Sequence, residues 1–238
     1  MNIALIGYGK MGKTIEQLAI EKGHTIVART GKIGFNANDI AAADVCIEFT
    51  SPESGFENIT KCIAAGKPVV SGTTGWLNRL DEVKNLVAAA KGSFFYASNF
   101  SLGVNLFWAV NEYLANIMND YPDYDVAVHE IHHTHKKDAP SGTAITTAEQ
   151  IVTRVAHKTS FALDADEKNV LKITAERVDP APGTHIVKYT SAIDDIELHH
   201  IAHSRLGFAK GALLAAEWLP GKQGVFGMND LLNLKKQK

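Results

Sequence analysis

The sequence predicts an α/β chain in two parts: a parallel sheet wound with helices, then a second α+β region built on a mixed, largely antiparallel sheet. Two observations carry this. Over the first hundred residues, short apolar runs alternate with stretches of helical period, the pattern of successive βαβ units. Beyond Leu171, strand-like runs follow one another without helices between them, which suggests antiparallel pairing.

The elements follow in order. Asn2 to Ile6 reads as a buried strand, then a Gly-rich turn, then a helix through Thr14, Leu18 and Ile20 that stops near Gly23. His24 to Ala28 is the next strand. Asp44 to Phe49 and Pro68 to Ser71 are short apolar strands, and the helix between them carries Phe56, Ile59, Ile63 and Ala64 at a spacing near 3.6. A helix around Leu80, Val83, Leu86 and Val87 leads to a strand at Phe94 to Ala97. From Leu102 to about Met118 a long amphipathic helix is expected, with Leu106, Val110, Tyr113, Leu114 and Ile117 on its apolar face. Tyr124 to Ile131 alternates as a strand does. A helix from Ser141 to about Ala156 has Ile145, Ala148, Ile151, Val152 and Val155 as its apolar face. Leu171 to Ala202 holds several strands, including Ile186 to Tyr189 and Ile196 to Ile201, broken by Asp179-Pro180-Ala181-Pro182-Gly183. A last helix, Ala209 to Trp218, ends near Pro220-Gly221.

Composition narrows the class. A chain of 238 residues, 45% hydrophobic and 21% charged, can hold one large or two modest soluble domains. A net charge of -2 gives no electrostatic drive toward nucleic acid or a membrane surface, so neither is expected as a partner. No apolar stretch approaches the roughly 20 residues that span a bilayer, and the N-terminus lacks the pattern of a signal peptide. Cys46 and Cys62 have no metal-ligand spacing and read as buried free thiols. These features point to a cytoplasmic protein, with Lys235 to Lys238 as a solvated end. Trp76, Trp108 and Trp218 are expected to fill cores and interfaces.

The first motif with chemistry is Gly7-Tyr8-Gly9-Lys10-Met11-Gly12, between the first strand and the first helix. Glycines there allow a tight turn and a close backbone approach to a pyrophosphate, and the helix start faces the anion. This makes the first region a Rossmann-type dinucleotide site. The second strand ends in Val27-Ala28-Arg29-Thr30-Gly31-Lys32, without the carboxylate that would bind an adenosine ribose 2′-hydroxyl. Arg29, helped by Thr30 or Lys32, suits a 2′-phosphate. NADPH is therefore favoured over NADH; the plainer alternative leaves Arg29 solvated and stacked on adenine. Three further loops follow strand ends: Glu48-Phe49-Thr50-Ser51-Pro52, Ser71-Gly72-Thr73-Thr74-Gly75 and Ala97-Ser98-Asn99-Phe100-Ser101. Together they would ring the nicotinamide end.

The second motif is His129-Glu130-Ile131-His132-His133-Thr134-His135-Lys136-Lys137-Asp138-Ala139-Pro140-Ser141-Gly142-Thr143, which holds four of the ten histidines. It runs into a helix start, where free backbone N–H groups favour an anion. Imidazoles and an ammonium beside such a start suggest an active site for a carboxylate substrate.

These motifs, with Phe208-Ala209-Lys210-Gly211-Ala212 and Trp218-Leu219, resemble in order those of the dihydrodipicolinate reductase family, over nearly the whole chain. The run from Glu130 to Thr143 is the most specific of them. The resemblance implies reduction of a cyclic dicarboxylate, 4-hydroxy-tetrahydrodipicolinate or dihydrodipicolinate, by NAD(P)H in the diaminopimelate route to lysine. It implies His132 and Lys136 as catalytic residues and His133, Gly142 and Thr143 as substrate-binding. It assigns the cofactor to Gly7, Tyr8, Gly9, Lys10, Met11 and Gly12, to Gly72, Thr73 and Thr74, and to Ala97, Ser98, Asn99 and Phe100, to which the loop positions add Phe49 and Arg29. It further implies residues 1–101 with 206–238 as the dinucleotide-binding domain, 102–205 as the substrate-binding and oligomerisation domain, a homotetramer, and no metal. The chain departs from the family in having little between its second and third strands and no acidic ribose ligand.

Other residues of the run have plainer readings. His129 is expected to pack or support, His135 to orient or add charge, and Lys137 to be solvated, while one or two of His199, His200 and His203 point outward. A metal-dependent hydrolase using His132, His133 and His135 with His199 and His203 is disfavoured, because the spacing is not the i,i+4 of a helical zinc site. A non-enzymatic nucleotide sensor leaves the proton-handling residues unexplained, whereas a related imine or amino-acid reductase is the nearer alternative. A hinge is expected at Asn99 to Leu102 and Arg205 to Phe208.

Overall fold

A computed structural model describes residues 1–31 and 34–234; Lys32, Ile33 and the tail from Lys235 lie outside the described residues. The described residues form two compact units, Met1–Ser101 with residues 206–234, and Leu102–Arg205.

The first unit is a six-stranded, wholly parallel sheet built from β1 (Asn2–Ile6), β2 (Thr25–Thr30), β3 (Val45–Glu48), β4 (Val69–Ser71), β5 (Ser93–Tyr96) and β11 (Gly224–Phe226). Its order is β11-β5-β4-β3-β1-β2. The chain steps from β1 out to β2 and then crosses to β3 on the other side of β1. Loops leaving β1 and β3 therefore diverge, which opens a crevice at the carboxyl ends of the strands. β3 and β4 are buried at every position, which is why they read as continuous apolar runs rather than alternating ones. Around the sheet lie α1 (Lys10–Glu21), α2 (Pro52–Ala64), α3 (Leu80–Ala90) and α6 (Leu206–Trp218), the last packed on α1, β3 and β4. Ile6, Cys46, Ile59, Cys62, Val69, Trp76 and Phe94 belong to the core. Both cysteines are buried free thiols, and the neighbouring Cys46 together with burial pushes the Cys62 thiol up.

Two expectations change here. β2 runs on to Thr30, with Arg29 and Thr30 paired to Leu5 and Ile6, so these two residues belong to the strand rather than to a loop beyond it. β11 and the short α7 (Met228–Leu231) were not anticipated, because neither is long enough to show a period.

The second unit is a five-stranded sheet of β6 (Asp125–His132), β7 (Ser160–Leu163), β8 (Val170–Arg177), β9 (Thr184–Thr190) and β10 (Asp195–Ile201), in the order β10-β9-β6-β8-β7. β9 is antiparallel to both neighbours, whereas β6 and β8, and β8 and β7, pair in parallel. The sheet is mixed as expected, but β8 and β9, though successive, are not neighbours. β6 lies between them, and the inference from succession to antiparallel pairing fails there. α5 (Gly142–Val152) packs on β6, β7 and β8, and α4 (Leu102–Met118) packs on α5 and β10. α5 ends a turn earlier than its apolar pattern suggests, and Val155 is buried from the turn that follows.

The exposed face of α4 is a correction. Its buried residues are Val104, Asn105, Phe107, Asn111, Ala115 and Met118, while Leu106, Val110, Tyr113 and Ile117 are 41–51% exposed. The helix is apolar nearly all round, so periodicity alone could not choose the inner face. That face contains a fully buried Asn111 whose amide donates to Thr147 O (3.3 Å) and Gln150 Oε1 (2.9 Å). None of the described helices is long and apolar enough to cross a membrane.

Candidate active site

In the first unit, the fingerprint turn fits between β1 and α1 because two of its glycines leave no room for a side chain. A Cβ on Gly7, whose φ is +97°, would lie 2.0 Å from Phe49 O; one on Gly12 would lie 2.3 Å from Gly7 O. Gly72 is likewise closed by the Phe49 ring, 2.1 Å from such a Cβ. These contacts bring the loops after β1, β3 and β4 together. They line a cleft of about 330 Å³ formed by Gly9, Lys10, Met11, Phe49, Thr50, Pro52, Gly72, Thr73 and Thr74. α1 starts at this cleft with Gly9 as N-cap and no side chain capping it, which leaves its positive end to an external anion. A dinucleotide pyrophosphate fits that arrangement.

The loops are held from below by Glu48, fully buried at the end of β3. Its carboxylate accepts from Ser71 Oγ (2.6 Å), Thr73 Oγ1 (2.7 Å) and Thr50 Oγ1, while the Thr50 amide donates to Thr73 Oγ1 (2.8 Å). Burial pushes the Glu48 carboxyl up and the three hydroxyls oppose that shift. Sequence reading placed Glu48 in a motif without a role, since a hydroxyl-satisfied carboxylate becomes visible only once the strands are in register.

Arg29 is engaged on this unit's surface. Its Nε donates to Glu16 Oε1 (2.7 Å), its NH2 donates to the same oxygen, and its guanidinium lies 5.9 Å from the centre of the Tyr8 ring. The Tyr8 hydroxyl donates to the other Glu16 oxygen. Arg29 foremost, then Tyr8, holds the Glu16 carboxyl below its ordinary range. Thr30, considered above as a helper of Arg29, instead turns its hydroxyl and carbonyl to the Gly7 amide (3.3 and 3.2 Å). Of the residues after β5, Ser98 is exposed, Ala97 and Asn99 are buried, and Phe100 is 2% exposed and stacked on Phe95 (5.9 Å). The Phe100 ring belongs to the core.

In the second unit, the alternation that buries Val126 and Val128 continues along β6 to Glu130 and His132, placing a carboxylate and an imidazole on the inner face. Glu130 is completely buried and His132 is 7% exposed. The chain leaves β6 through His133 to Pro140 and returns at Ser141, the N-cap of α5, whose hydroxyl accepts from Ala144 N (3.1 Å). The Ser141 amide donates to both Glu130 oxygens (3.1 and 3.2 Å), which ties the start of α5 to β6. Gly142 is exposed at this helix start, and a Cβ there would meet nothing within 4 Å.

Side chains from other strands complete the cluster. Arg177 of β8 donates through NH2 to Glu130 Oε1 (3.2 Å) and to Asp138 O (2.6 Å). His185 of β9 is 4% exposed, meets His132 edge to face at 5.0 Å, and has Nε2 3.2 Å from Ser141 Oγ. Burial, then the nearby His132, His200 and Lys136, pushes His185 down to about 3, so it is neutral. Lys136 Nζ donates to both oxygens of Asp138 (3.0 and 2.8 Å), and His133 Nε2 accepts from Arg205 NH2 (2.7 Å). Burial pushes His132 down, against the pull of Glu130. Arg177, His185 and Arg205 lie far along the chain and carry no signal in the sequence; Glu130 had one, two residues before His132 on an alternating strand.

The remaining histidines disperse. His129 Nδ1 lies 2.6 Å from Thr174 Oγ1, a packing position. His133 and His135 have ring centres 6.3 Å apart, His199 pairs with Glu197 (2.8 Å), and His203 is exposed. The imidazoles considered for a metal hydrolase are thus not gathered at one point. Among the described residues, Glu130, His132 and His185 do gather, with a carboxylate oxygen and two ring nitrogens within 4.8 Å of one another.

Comparison with known proteins covers both units. Residues 1–100 match the family described as dihydrodipicolinate reductase, N-terminus, and residues 103–232 match dihydrodipicolinate reductase, C-terminus. The 4-hydroxy-tetrahydrodipicolinate reductase of Christiangramia forsetii is 46% identical over 235 residues, 98% of this chain and 98% of that protein. A dipicolinate-bound dihydrodipicolinate reductase from Paenisporosarcina sp. TG-14 shares the fold with a TM-score of 0.79 at 23% identity, covering 97% of this chain and 98% of the other. An amine dehydrogenase from Mycobacterium smegmatis gives a TM-score of 0.60 at 10% identity, with 94% of each chain covered. Matched along both units and at high identity, the chain belongs to the dihydrodipicolinate reductase family.

Proposed function

We propose that this chain reduces dihydrodipicolinate, formed from 4-hydroxy-tetrahydrodipicolinate, to tetrahydrodipicolinate with NAD(P)H in the diaminopimelate route to lysine. The observation that carries this is the family match along both units, with the run from Glu130 to Thr143 reaching from the end of β6 into the start of α5. Oxidation of the reduced cofactor with freshly formed dihydrodipicolinate, and with an acyclic imine for comparison, tests it.

A bound reduced nicotinamide supplies the hydride. Reduction at C4 of the cyclic, unsaturated dicarboxylate leaves an enamine-type carbon at C3 that takes one proton, so each turnover consumes one proton from the protein. His132 delivers it from Nε2. Gly183, where a Cβ would lie 3.3 Å from that nitrogen, keeps the space beside it clear. Lys136 exchanges Asp138 for a substrate carboxylate and favours the negative charge that develops. Gly142 and Thr143, in the first turn of α5, hold a carboxylate through the helix start, and His133 contacts the substrate.

The first unit holds the dinucleotide, with the Gly7 to Gly12 turn on the pyrophosphate and the Phe49, Gly72 to Thr74 and Ala97 to Phe100 loops toward the nicotinamide. Arg29 selects the 2′-phosphate and so favours NADPH, with Glu16 as the partner it must release. The second unit binds substrate and assembles a homotetramer. Support for assembly comes from the exposed stripe of Leu106, Val110, Tyr113 and Ile117 on α4 and from the edge strand β10, where Ile196 and Ile201 are 38% and 55% exposed. Two free thiols and a net charge of -2 suit a cytoplasmic protein without nucleic-acid or membrane partners.

A further inference from the structure

We propose that Glu130 is the positioning residue of the proton donor: its buried carboxylate fixes which nitrogen of His132 faces the substrate and keeps that imidazole able to carry a proton. The inference rests on the reductase reading above and names a group to which that reading gives no part.

The geometry is specific. His132 Nδ1 lies 3.5 Å from Glu130 Oε2 and, although buried, has no hydrogen-bond partner within 3.5 Å that satisfies its geometry. Nδ1 is the ring nitrogen beside the Glu130 carboxylate, and because a carboxylate only accepts, its charge favours hydrogen on that nitrogen. That assignment makes Nε2, the nitrogen beside Gly183, the atom that gives up the proton. After transfer the imidazole is left as the neutral Nδ1–H form beside Glu130, and the next proton enters at Nε2.

Charge balance points the same way. The groups facing His132 are Glu130 on its own strand, Lys136 and Asp138 in the following loop, Arg177 on β8 and His185 on β9, with His200 of β10 behind His185 at 6.4 Å. His185 is neutral, and Asp138, paired with Lys136, adds a smaller pull in the same direction as Glu130. Burial, Lys136 and Arg177 all disfavour an imidazolium, and Glu130 is the nearest group that favours one. Glu130 has its own support: the Ser141 amide and the Arg177 guanidinium hold the two oxygens in place, as the full burial of a carboxylate requires. The same residue therefore ties the helix start that would hold a substrate carboxylate to the acid that protonates the substrate.

The test compares Glu130→Gln, Glu130→Asp and Arg177→Met with wild type by the pH dependence of kcat and by NMR titration of the His132 imidazole, assigned with His132→Gln. Glu130→Gln keeps size and an accepting oxygen but removes the charge. It is expected to lower the His132 midpoint and move the alkaline fall of kcat about one pH unit or more toward acid, a loss of roughly tenfold or more on that limb. Glu130→Asp should restore part of the shift, and Arg177→Met should move both readouts the other way. A folded Glu130→Gln enzyme with both readouts unchanged overturns the proposal. If Glu130→Gln fails to fold, Glu130→Asp decides: its shorter side chain draws the carboxylate away from Nδ1, so a lowered His132 midpoint supports the proposal and an unchanged one overturns it. A wild-type enzyme inactive on dihydrodipicolinate would instead sink the reductase reading, and the NMR midpoints would still report on the Glu130 and His132 pair.

Discussion

The proposed preference for NADPH rests on one ion pair, and Glu16→Gln tests it. Arg29 cannot grip a 2′-phosphate with Nε and NH2 while both donate to Glu16 Oε1. Binding NADPH through Arg29 must therefore break that pair, whereas binding NADH need not. The pair is partly screened, with side chains 43% and 13% exposed, which places its worth at about 1 kcal/mol, the upper end for exposed pairs. Releasing Arg29 beforehand should tighten NADPH binding by about fivefold. The isosteric amide keeps an acceptor for the Tyr8 hydroxyl, so the fingerprint turn should be undisturbed and NADH affinity unchanged. Nicotinamide fluorescence titration without substrate gives both dissociation constants and is independent of turnover. Equal changes for the two cofactors, or no change for either, would refute the assignment of Arg29 to the 2′-phosphate. The companion variant Arg29→Met should weaken NADPH alone.

His132→Ala and Lys136→Ala should each lower kcat by roughly 10²–10⁴ while leaving thermal unfolding near wild type; turnover close to wild type in both would remove them from the chemistry. Gly7→Ala places a side chain at φ +97° and 2.0 Å from Phe49 O, so about 1–2 kcal/mol of backbone strain and 1–3 kcal/mol of overpacking should destabilise the protein in urea unfolding. A Gly7→Ala variant as stable as wild type would mean that the turn is not closed by the loop after β3. If the chain assembles as proposed, Val110→Glu with Tyr113→Glu should reduce the mass seen by light scattering from that of the proposed tetramer to a smaller species, and an unchanged mass would take the α4 stripe out of the interface. His185 is held neutral in the folded protein, about 3 against an ordinary 6.5, so the unfolded chain binds a proton that the native one refuses. Its contribution is complete above about pH 6.5 and is lost as pH falls toward 3. His185→Gln should flatten the acid loss of stability over that window, and an unaltered slope would contradict the buried neutral assignment.

What the sequence revealed follows from how far each signal reaches along the chain. The Rossmann half was readable almost element by element, because each βαβ step is local and the inner strands β1, β3, β4 and β5 are buried on both faces. Even the fingerprint turn could be placed between a strand and a helix. The second half was harder. α4 is apolar on two faces, and the inner one is marked by Asn105 and Asn111, residues that a hydrophobic pattern rejects. β7 has no fully buried position, so no alternation marks it. The parallel pairing of β6 with β8 depends on which strand lies between β8 and β9, a non-local fact. The site divides in the same way. His132, His133, Lys136, Ser141 and Gly142 are neighbours in the chain and could be grouped by eye. Arg177, His185 and Arg205 join them only through sheet register and the end of the unit, and Glu16 joins Arg29 across the first helix.

The most direct test of the account is the initial rate at which the purified chain oxidises NADPH and NADH in the presence of freshly generated dihydrodipicolinate, with tetrahydrodipicolinate measured as product. The account predicts turnover with one product formed per cofactor oxidised, abolished or nearly so in His132→Ala, and little or no turnover of an acyclic imine. A cofactor-binding protein that leaves dihydrodipicolinate untouched, or that turns over the acyclic imine in preference, would contradict it.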